Sequence, residues 1–293
     1  MEKHLFVRID SKMNSLSKGQ KLIAEFIEQH YDRAAFLTAS KLGEYVGVSE
    51  STVVRFATEL GYSGYPQLQK AMQEMIKDKL TSVQRIEVSA AKIGDGDVLE
   101  NVLNQDILKI RRTLEETSRE DFERAVNSII SAEKIYIFGT RSASSLANFL
   151  GYYFDLIFGN VHVVTTASRS GMYEALLRIS DKDAIIGISF PRYSKTAASA
   201  MDFAHSRGAA TIAITDSMLS PLVDSADSLL IARSDMASVV DSLVAPLSLI
   251  NALIVATVIK RKDEVKETFE TLEAVWCEQG VYTSSQSKDN DKL

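Results

Sequence analysis

The chain contains a single cysteine, Cys277, so one copy can build neither a disulfide framework nor a cysteine-based zinc site, and a reducing compartment suits it. Its opening residues, MEKHLFVRID, lack the continuous apolar core of a signal peptide, which argues against export and sets the expectation of a cytoplasmic protein. A clean membrane span is missing too. Val239 to Ile259 comes nearest, but Asp241, Pro246 and Asn251 interrupt it, and a charge within a span costs about 2.5 to 3.5 kcal/mol. A buried or interface helix is the better reading, and no membrane partner is expected. The net charge of -6 lacks the basic excess of a typical nucleic-acid binder, so its distribution matters more than its sum. Residues 1 to 85 carry 12 Lys+Arg against 10 Asp+Glu, leaving 21 against 29 for the remainder, so the only positive balance lies at the N-terminal end.

What is present is ordinary folded-protein composition: 45% hydrophobic and 25% charged residues over 293 positions, a length that suits two domains better than one. Residues 1–80 read as helices, with Leu22, Ile23, Phe26 and Ile27 at helical spacing behind a capping-box pair, Ser17 and Gln20. Residues 81–104 are polar and mixed, with Gly94, Asp95, Gly96 and Asp97 in a row, and read as a flexible connection. A helical run from Asn104 to about Ile130 follows. Then short apolar segments alternate with helical ones: IYIFG from 135, VHVVT from 161, AIIGIS from 184, ATIAIT from 210 and SLLIA from 228. Continuous apolar strands separated by helices specify a parallel sheet covered on both faces. The expected fold is therefore an all-helical N-terminal domain joined to a doubly wound parallel α/β domain at 105–282, with a polar, disordered tail at 283–293.

Residues 38 to 61, TASKLGEYVGVSESTVVRFATELG, carry the sharpest local pattern: a short helix ending at Val46, the turn Gly47-Val48-Ser49, and a second helix. This is a helix-turn-helix. Gly47 can take the positive φ of the turn, Val48 can plug between the helices, and Ser49 can cap the second one. Val53, Phe56, Ala57 and Leu60 share one face of that helix, leaving Ser51, Thr52 and Arg55 for the outer face that enters a major groove. Hydroxyls there can meet phosphates or base edges, and Arg55 can bind guanine bidentately. Downstream, Tyr62 and Tyr65 flank a turn into another helix that holds Lys70, an arrangement suited to backbone phosphates. The expected DNA-binding set is Ser49, Ser51, Thr52, Arg55, Tyr62 and Lys70, acting on a double-stranded operator.

The segment KLGEYVGVSESTVVRFATELGYSGYPQLQ, within a match from about Leu16 to Met75, resembles the N-terminal domain of the RpiR family of bacterial regulators. The turn Gly-Val-Ser, the run Thr-Val-Val-Arg-Phe and the exit Leu-Gly-Tyr-x-Gly-Tyr stand together at fixed spacing. The resemblance implies a DNA-binding regulator with Ser51, Thr52 and Arg55 in the reading positions.

Ligands of a parallel sheet sit where strands end and helices begin, which draws attention to the loops after Gly139, Thr165, Ser189 and Thr215. The stretch Thr140-Arg141-Ser142-Ala143-Ser144 opens a helix, where free N–H groups and the helix dipole favour an anion. Ser189, Arg192, Ser194, Lys195 and Thr196 repeat the arrangement after the third strand and add cations, of which Arg192 can grip phosphate or carboxylate bidentately. The bland reading of each hydroxyl is that it caps a helix. The expected effector set is Thr140, Arg141, Ser142, Ser144, Ser189, Arg192, Ser194 and Thr196, with no metal and no cofactor.

Residues 107 to 259 are similar to the sugar isomerase (SIS) domain, the usual C-terminal partner of an RpiR-type DNA-binding domain. That resemblance implies a phosphorylated sugar as ligand, with the phosphate near Ser142 or Ser144, Ser189, Ser194 and Thr196. The family's Ser-x-Ser-Gly-x-Thr stands here as Ser189-Phe190-Pro191-Arg192-Tyr193-Ser194. Pro191 replaces a hydroxyl and brings no N–H, Arg192 replaces a glycine, and Arg141 stands where a second glycine is common in the first loop. An altered or more acidic ligand follows from those changes, or a domain that only dimerises. The competing function is a sugar-phosphate isomerase with an accessory helix-turn-helix, for which His162, His205 and Glu174 are the available acid/base groups, though no two form a recognisable pair. A ligand-controlled, non-enzymatic regulator is the reading adopted. A homodimer or higher homo-oligomer is expected because one helix-turn-helix offers few contacts, with the Val239 to Ile259 helix as a candidate interface.

Overall fold

A computed structural model describes residues 2–76, 86, 97–234 and 241–282. They fall into two compact units. One holds residues 2–76, 86 and 97–108 together with 191–193, 234 and 241–242; the other holds 109–190, 194–233 and 243–282.

The first unit is helical: α1 (Glu2–Lys12), α2 (Lys18–Ala34), α3 (Ala39–Val46), α4 (Glu50–Glu59) and α5 (Tyr65–Ile76). The Ser17 capping box forms as the sequence specifies, with the Ser17 hydroxyl accepting from Gln20 N and the Gln20 side chain accepting from Ser17 N. One contiguous core joins all five helices through Leu5, Ile9, Ile23, Ile27, Leu42, Val53, Phe56, Leu68 and Met72. Tyr65 belongs to it. Its hydroxyl donates to the carbonyl of Leu37 at 2.7 Å, and burial pushes its pKa up.

Helix α6 (Val98–Glu116) begins inside the stretch read as a flexible connection. Asp97 starts it, its carboxylate accepting from the N–H groups of Leu99 at 2.8 Å and Glu100 at 3.2 Å. The apolar positions Leu99, Leu103, Ile107 and Leu114 are exposed, so they give no core-facing signal to sequence reading. The rest of the expected connection, 77–85 and 87–96, lies outside the described residues, as does the tail at 283–293. The helical run expected to reach Ile130 is two helices. Ser118 interrupts it by capping α7 (Arg119–Ser131), its hydroxyl accepting from Asp121 N.

The second unit is a three-layer α/β/α sandwich. Five parallel strands, β1 (Ile135–Gly139), β2 (Val161–Val164), β3 (Ala184–Ile188), β4 (Ala210–Thr215) and β5 (Ser228–Ile231), lie in the order β2-β1-β3-β4-β5. Between them run α8 (Ala143–Phe158), α9 (Arg169–Leu176) and α10 (Lys195–Ser206), and α11 (Val244–Lys260) and α12 (Lys262–Gln279) close the chain. Strand alternation splits the core. Ile135, Ile137, Ile186, Ile188, Ile212 and Ile214 face α7, α8 and α11, whereas Tyr136, Phe138, Ile185 and Ala213 face α9 and α10.

Helix α11 settles the ambiguous apolar stretch. It buries Pro246, Leu249, Ile250, Leu253 and Ile254 against the sheet, and among the described residues no single helix is long and apolar enough to cross a membrane. Pro246 falls in its first turn, where an absent N–H costs no intrahelical bond. Its outward stripe, Val244, Ala252, Val255 and Ile259, is exposed; Val239 and Val240 lie outside the described residues.

Candidate DNA-binding and effector sites

Helix α3 is capped by Thr38, whose hydroxyl accepts from Lys41 N, and ends at Gly47 with φ 77°. That left-handed conformation lets the chain turn sharply enough for Val48 N to donate to Gly43 O at 2.8 Å and for α4 to start two residues later. Val48 is half-buried against the core of the unit, as a plug between helices should be. Val53, Phe56, Ala57 and Leu60 are buried and Ser51, Val54, Arg55 and Thr58 are exposed, whereas Thr52, expected on the outer face, is half-buried.

Ser49 departs from expectation. Its side chain makes no capping bond to the backbone; instead its hydroxyl lies 2.9 Å from that of Ser51 and 2.8 Å from that of Thr52. The physical reason is competition: two hydroxyls in the first turn of α4 offer partners at shorter range than the amides Ser49 was expected to cap. The result leaves first-turn N–H groups of α4 beside a cluster of three hydroxyls, a neutral donor surface suited to a phosphate oxygen. Arg55 lies along the same face, its Nε donating to Ser51 O at 3.2 Å.

Tyr62 is half-buried beyond the C-terminus of α4, with the Arg8 guanidinium 5.0 Å from its ring centroid. Burial raises its pKa and Arg8 opposes the rise. Arg8 also donates to the carbonyl of Leu60 at 3.1 Å, tying α1 to the last turn of α4. Sequence reasoning missed Arg8, because its partners lie 52 and 54 positions away and no local pattern marks it. Lys70 is exposed on α5, whose inward face buries Leu68 and Met72.

In the second unit the strand order reverses direction at the β1/β3 pair. Helix α8 leaves β1 on one face of the sheet and α10 leaves β3 on the other, so the two loops diverge and leave the crevice where doubly wound folds bind ligands. The loop after β1 is tight. A Cβ on Gly139 would lie 2.7 Å from the carbonyl of Ala143, and Arg141 adopts φ 58°, the one positive value among described non-glycine residues. Thr140 is buried at the strand end, and Arg141 and Ser142 are exposed. Ser142 makes no side-chain cap bond, so its hydroxyl stays uncommitted beside the first-turn amides of α8. Ser144 instead donates its hydroxyl proton to Arg141 O at 2.6 Å.

After β3 the hydroxyls divide differently. Ser189 is buried, its oxygen accepting from Ser194 N at 3.2 Å. Ser194 caps α10, accepting from Ala197 N, and Thr196 donates to Ala167 O at 3.5 Å. Capping and loop bracing thus occupy Ser194 and Thr196, while Thr140, Ser142 and Ser189 retain capacity for a ligand. Arg192 is half-buried in this loop and Lys195 is exposed.

The acid/base candidates are not gathered at this crevice. His162 is the second residue of edge strand β2, stacked on Tyr136 at 5.1 Å and short of the strand's C-terminal end. His205 is in the last turn of α10, 4.0 Å from Asp227, and Glu174 is exposed on α9. Among the described residues no group of three or more His, Cys, Asp or Glu is placed to hold a metal.

Comparison with known proteins resolves the two units. Residues 3–79 match the model of the rpiR-family helix-turn-helix domain, and residues 128–256 match the SIS domain. The chain belongs to the RpiR family. An HTH-type transcriptional regulator of Haemophilus influenzae is 26% identical over 76% of this chain and 78% of its own length, and the HTH-type transcriptional regulator HexR of Escherichia coli is 24% identical over 72% of each. Among solved structures, the sugar isomerase domain of an RpiR transcription factor from Sphaerobacter thermophilus matches with TM-score 0.58 and 26% identity, covering 60% of this chain and 98% of that one. The Vibrio vulnificus NanR protein, complexed with ManNAc-6P, shares the fold over 92% of this chain and 98% of that one, at TM-score 0.55 and 23% identity.

Two outcomes follow for this RpiR-family chain. Arg55→Ala is expected to keep the thermal midpoint, because the side chain is exposed, while reducing discrimination between a selected operator and random duplex by about 1 to 3 kcal/mol. Unchanged discrimination in a competition binding assay would remove Arg55 from base reading. Arg141→Gly is expected to stabilise the protein by about 1 kcal/mol by relieving a left-handed backbone. An unaltered denaturation midpoint would show that this φ stores no strain.

Proposed function

We propose that this RpiR-family regulator binds a double-stranded operator through α4 and that its operator affinity responds to a phosphorylated sugar or sugar acid held by the SIS domain, in the cytoplasm and without turnover. The observation that supports the reading is the reversal of strand order between β1 and β3, with the uncommitted Ser142 hydroxyl and the first-turn amides of α8 following β1 and the buried Ser189 following β3. Arg141 and Lys195, one on each loop, add positive charge that an unphosphorylated sugar does not require. The bound ManNAc-6P of the NanR structure supports the ligand class. The positions of His162, His205 and Glu174 weigh against the isomerase alternative, since an acid/base group must reach the sugar carbons.

Ser51, Thr52 and Arg55 read or position the major groove in this proposal. Ser49, Tyr62 and Lys70 serve the phosphate backbone, and Arg8 acts through Tyr62 and the end of α4 as a positioning residue. The protein works as a dimer, two copies reading paired half-sites, with the exposed stripe of α11 as part of the interface. Sedimentation at micromolar concentration is expected to give at least a dimer; a monomer would defeat this part.

The ligand reading is tested by a thermal-shift screen of glucose 6-phosphate, fructose 6-phosphate, N-acetylmannosamine 6-phosphate and 6-phosphogluconate. A specific binder at 100 times its Kd adds about 2.7 kcal/mol of stability. The best binder is expected to change operator affinity about 5- to 150-fold, with DNA changing its affinity by the same factor. Operator affinity that ignores a bound sugar phosphate would refute the sensor, and steady product formation would favour an enzyme.

A further inference from the structure

The register of the sheet extends the effector site onto a strand that carries no helix N-terminus. Gly139, Ile188 and Ile214 are level across β1, β3 and β4, so the next rung holds Thr140, Ser189 and Thr215, and Ser189 N donates to Ile214 O at 3.2 Å. Alternation sends all three side chains to the face shared by Tyr136, Phe138, Ile185 and Ala213. Three hydroxyl residues thus stand at the C-terminal edge of neighbouring strands, Thr140 and Ser189 just past the ends of β1 and β3 and Thr215 as the last residue of β4. Their exposures are 6%, 3% and 0%. The Thr215 hydroxyl is fully buried and has no hydrogen-bond partner among the described residues. Valine would fill the same space without leaving a polar atom unsatisfied, so the fold itself gives no reason for threonine there.

We propose that Thr215 is a specificity-determining contact of the effector site, its hydroxyl bonding a hydroxyl of the sugar rather than the phosphate. This rests on the sugar-phosphate reading above and deepens it. The distinction between sugar and phosphate comes from what surrounds each hydroxyl. Thr140 leads into the first-turn amides of α8 and Ser189 into the cationic loop before α10, both of which favour an anion. Beyond Thr215 the chain turns without a long helix, so no helix N-terminus is aimed there to draw an anion. A hydroxyl that both donates and accepts matches the hydroxyls of a sugar.

The test is calorimetric titration of the full chain and of Thr215→Val and Thr215→Ser, using the strongest binder among the four named compounds, with inorganic phosphate as a competing probe. Thr215→Val is expected to weaken the sugar phosphate about tenfold, the value of one lost hydrogen bond, while the affinity for inorganic phosphate stays within about twofold. Thr215→Ser, which keeps the hydroxyl, is expected to stay near the wild-type value for both. Should Thr215→Val fail to fold, Thr215→Ala is read in the same way. Wild-type affinity in the valine variant would overturn the contact, and equal weakening of sugar phosphate and inorganic phosphate would overturn its assignment to the sugar. If the wild-type chain binds none of the four compounds, the effector reading itself falls.

Discussion

Parallel strands are joined by right-handed crossovers, and this chain builds its sheet outward in two directions from the β1/β3 pair. Everything proposed for the second unit depends on that constraint. Moving from β1 to β2 requires a helix on one face and moving from β3 to β4 requires a helix on the other, so α8 and α10 draw their loops apart. The gap is a consequence of handedness rather than of any particular side chain. What occupies its rim is particular to this sequence: a serine with an uncommitted hydroxyl, a buried serine across from it, and arginines where the family resemblance implies glycines.

Those arginines change how the site achieves its shape. Glycine at a left-handed position costs nothing in steric terms; Arg141 takes φ 58° and bears that cost beside the start of α8. Strain of this kind persists where surrounding structure holds it, here the close contact between Gly139 and Ala143 and the bonds that Ser144 makes back to the Arg141 carbonyl. The loop therefore carries an exposed arginine where a glycine would offer only backbone.

The helical unit shows the same interplay at smaller scale. Its turn is set by Gly47 and its core by Phe56 and Val53, both readable from spacing. The first turn of α4 is arranged differently from a standard cap, since Ser49 engages Ser51 and Thr52 instead of the backbone. Amides and hydroxyls are thereby left together at the end of a helix whose far end Arg8 fastens. Both ends of α4 are thus determined by polar contacts, and its middle by apolar burial.

Spacing alone determined the capping box at Ser17, the helix-turn-helix, the five apolar strands and the parallel fold class, because these rest on periodicity and on residues only a few positions apart. The start of α6 was not legible: Asp97 caps it, but its apolar residues are exposed and give no face to detect. At the effector loops the residue types pointed to hydroxyl donors, yet could not say which were already engaged. Ser194 and Ser142 look alike in sequence, and only the folded chain shows one capping α10 and the other uncommitted. The row of Thr140, Ser189 and Thr215 is further from view still, since it joins residues up to 75 positions apart through strand order and register. Order and register are set by crossover geometry and packing of the two apolar layers, interactions between segments that no local pattern of residues encodes.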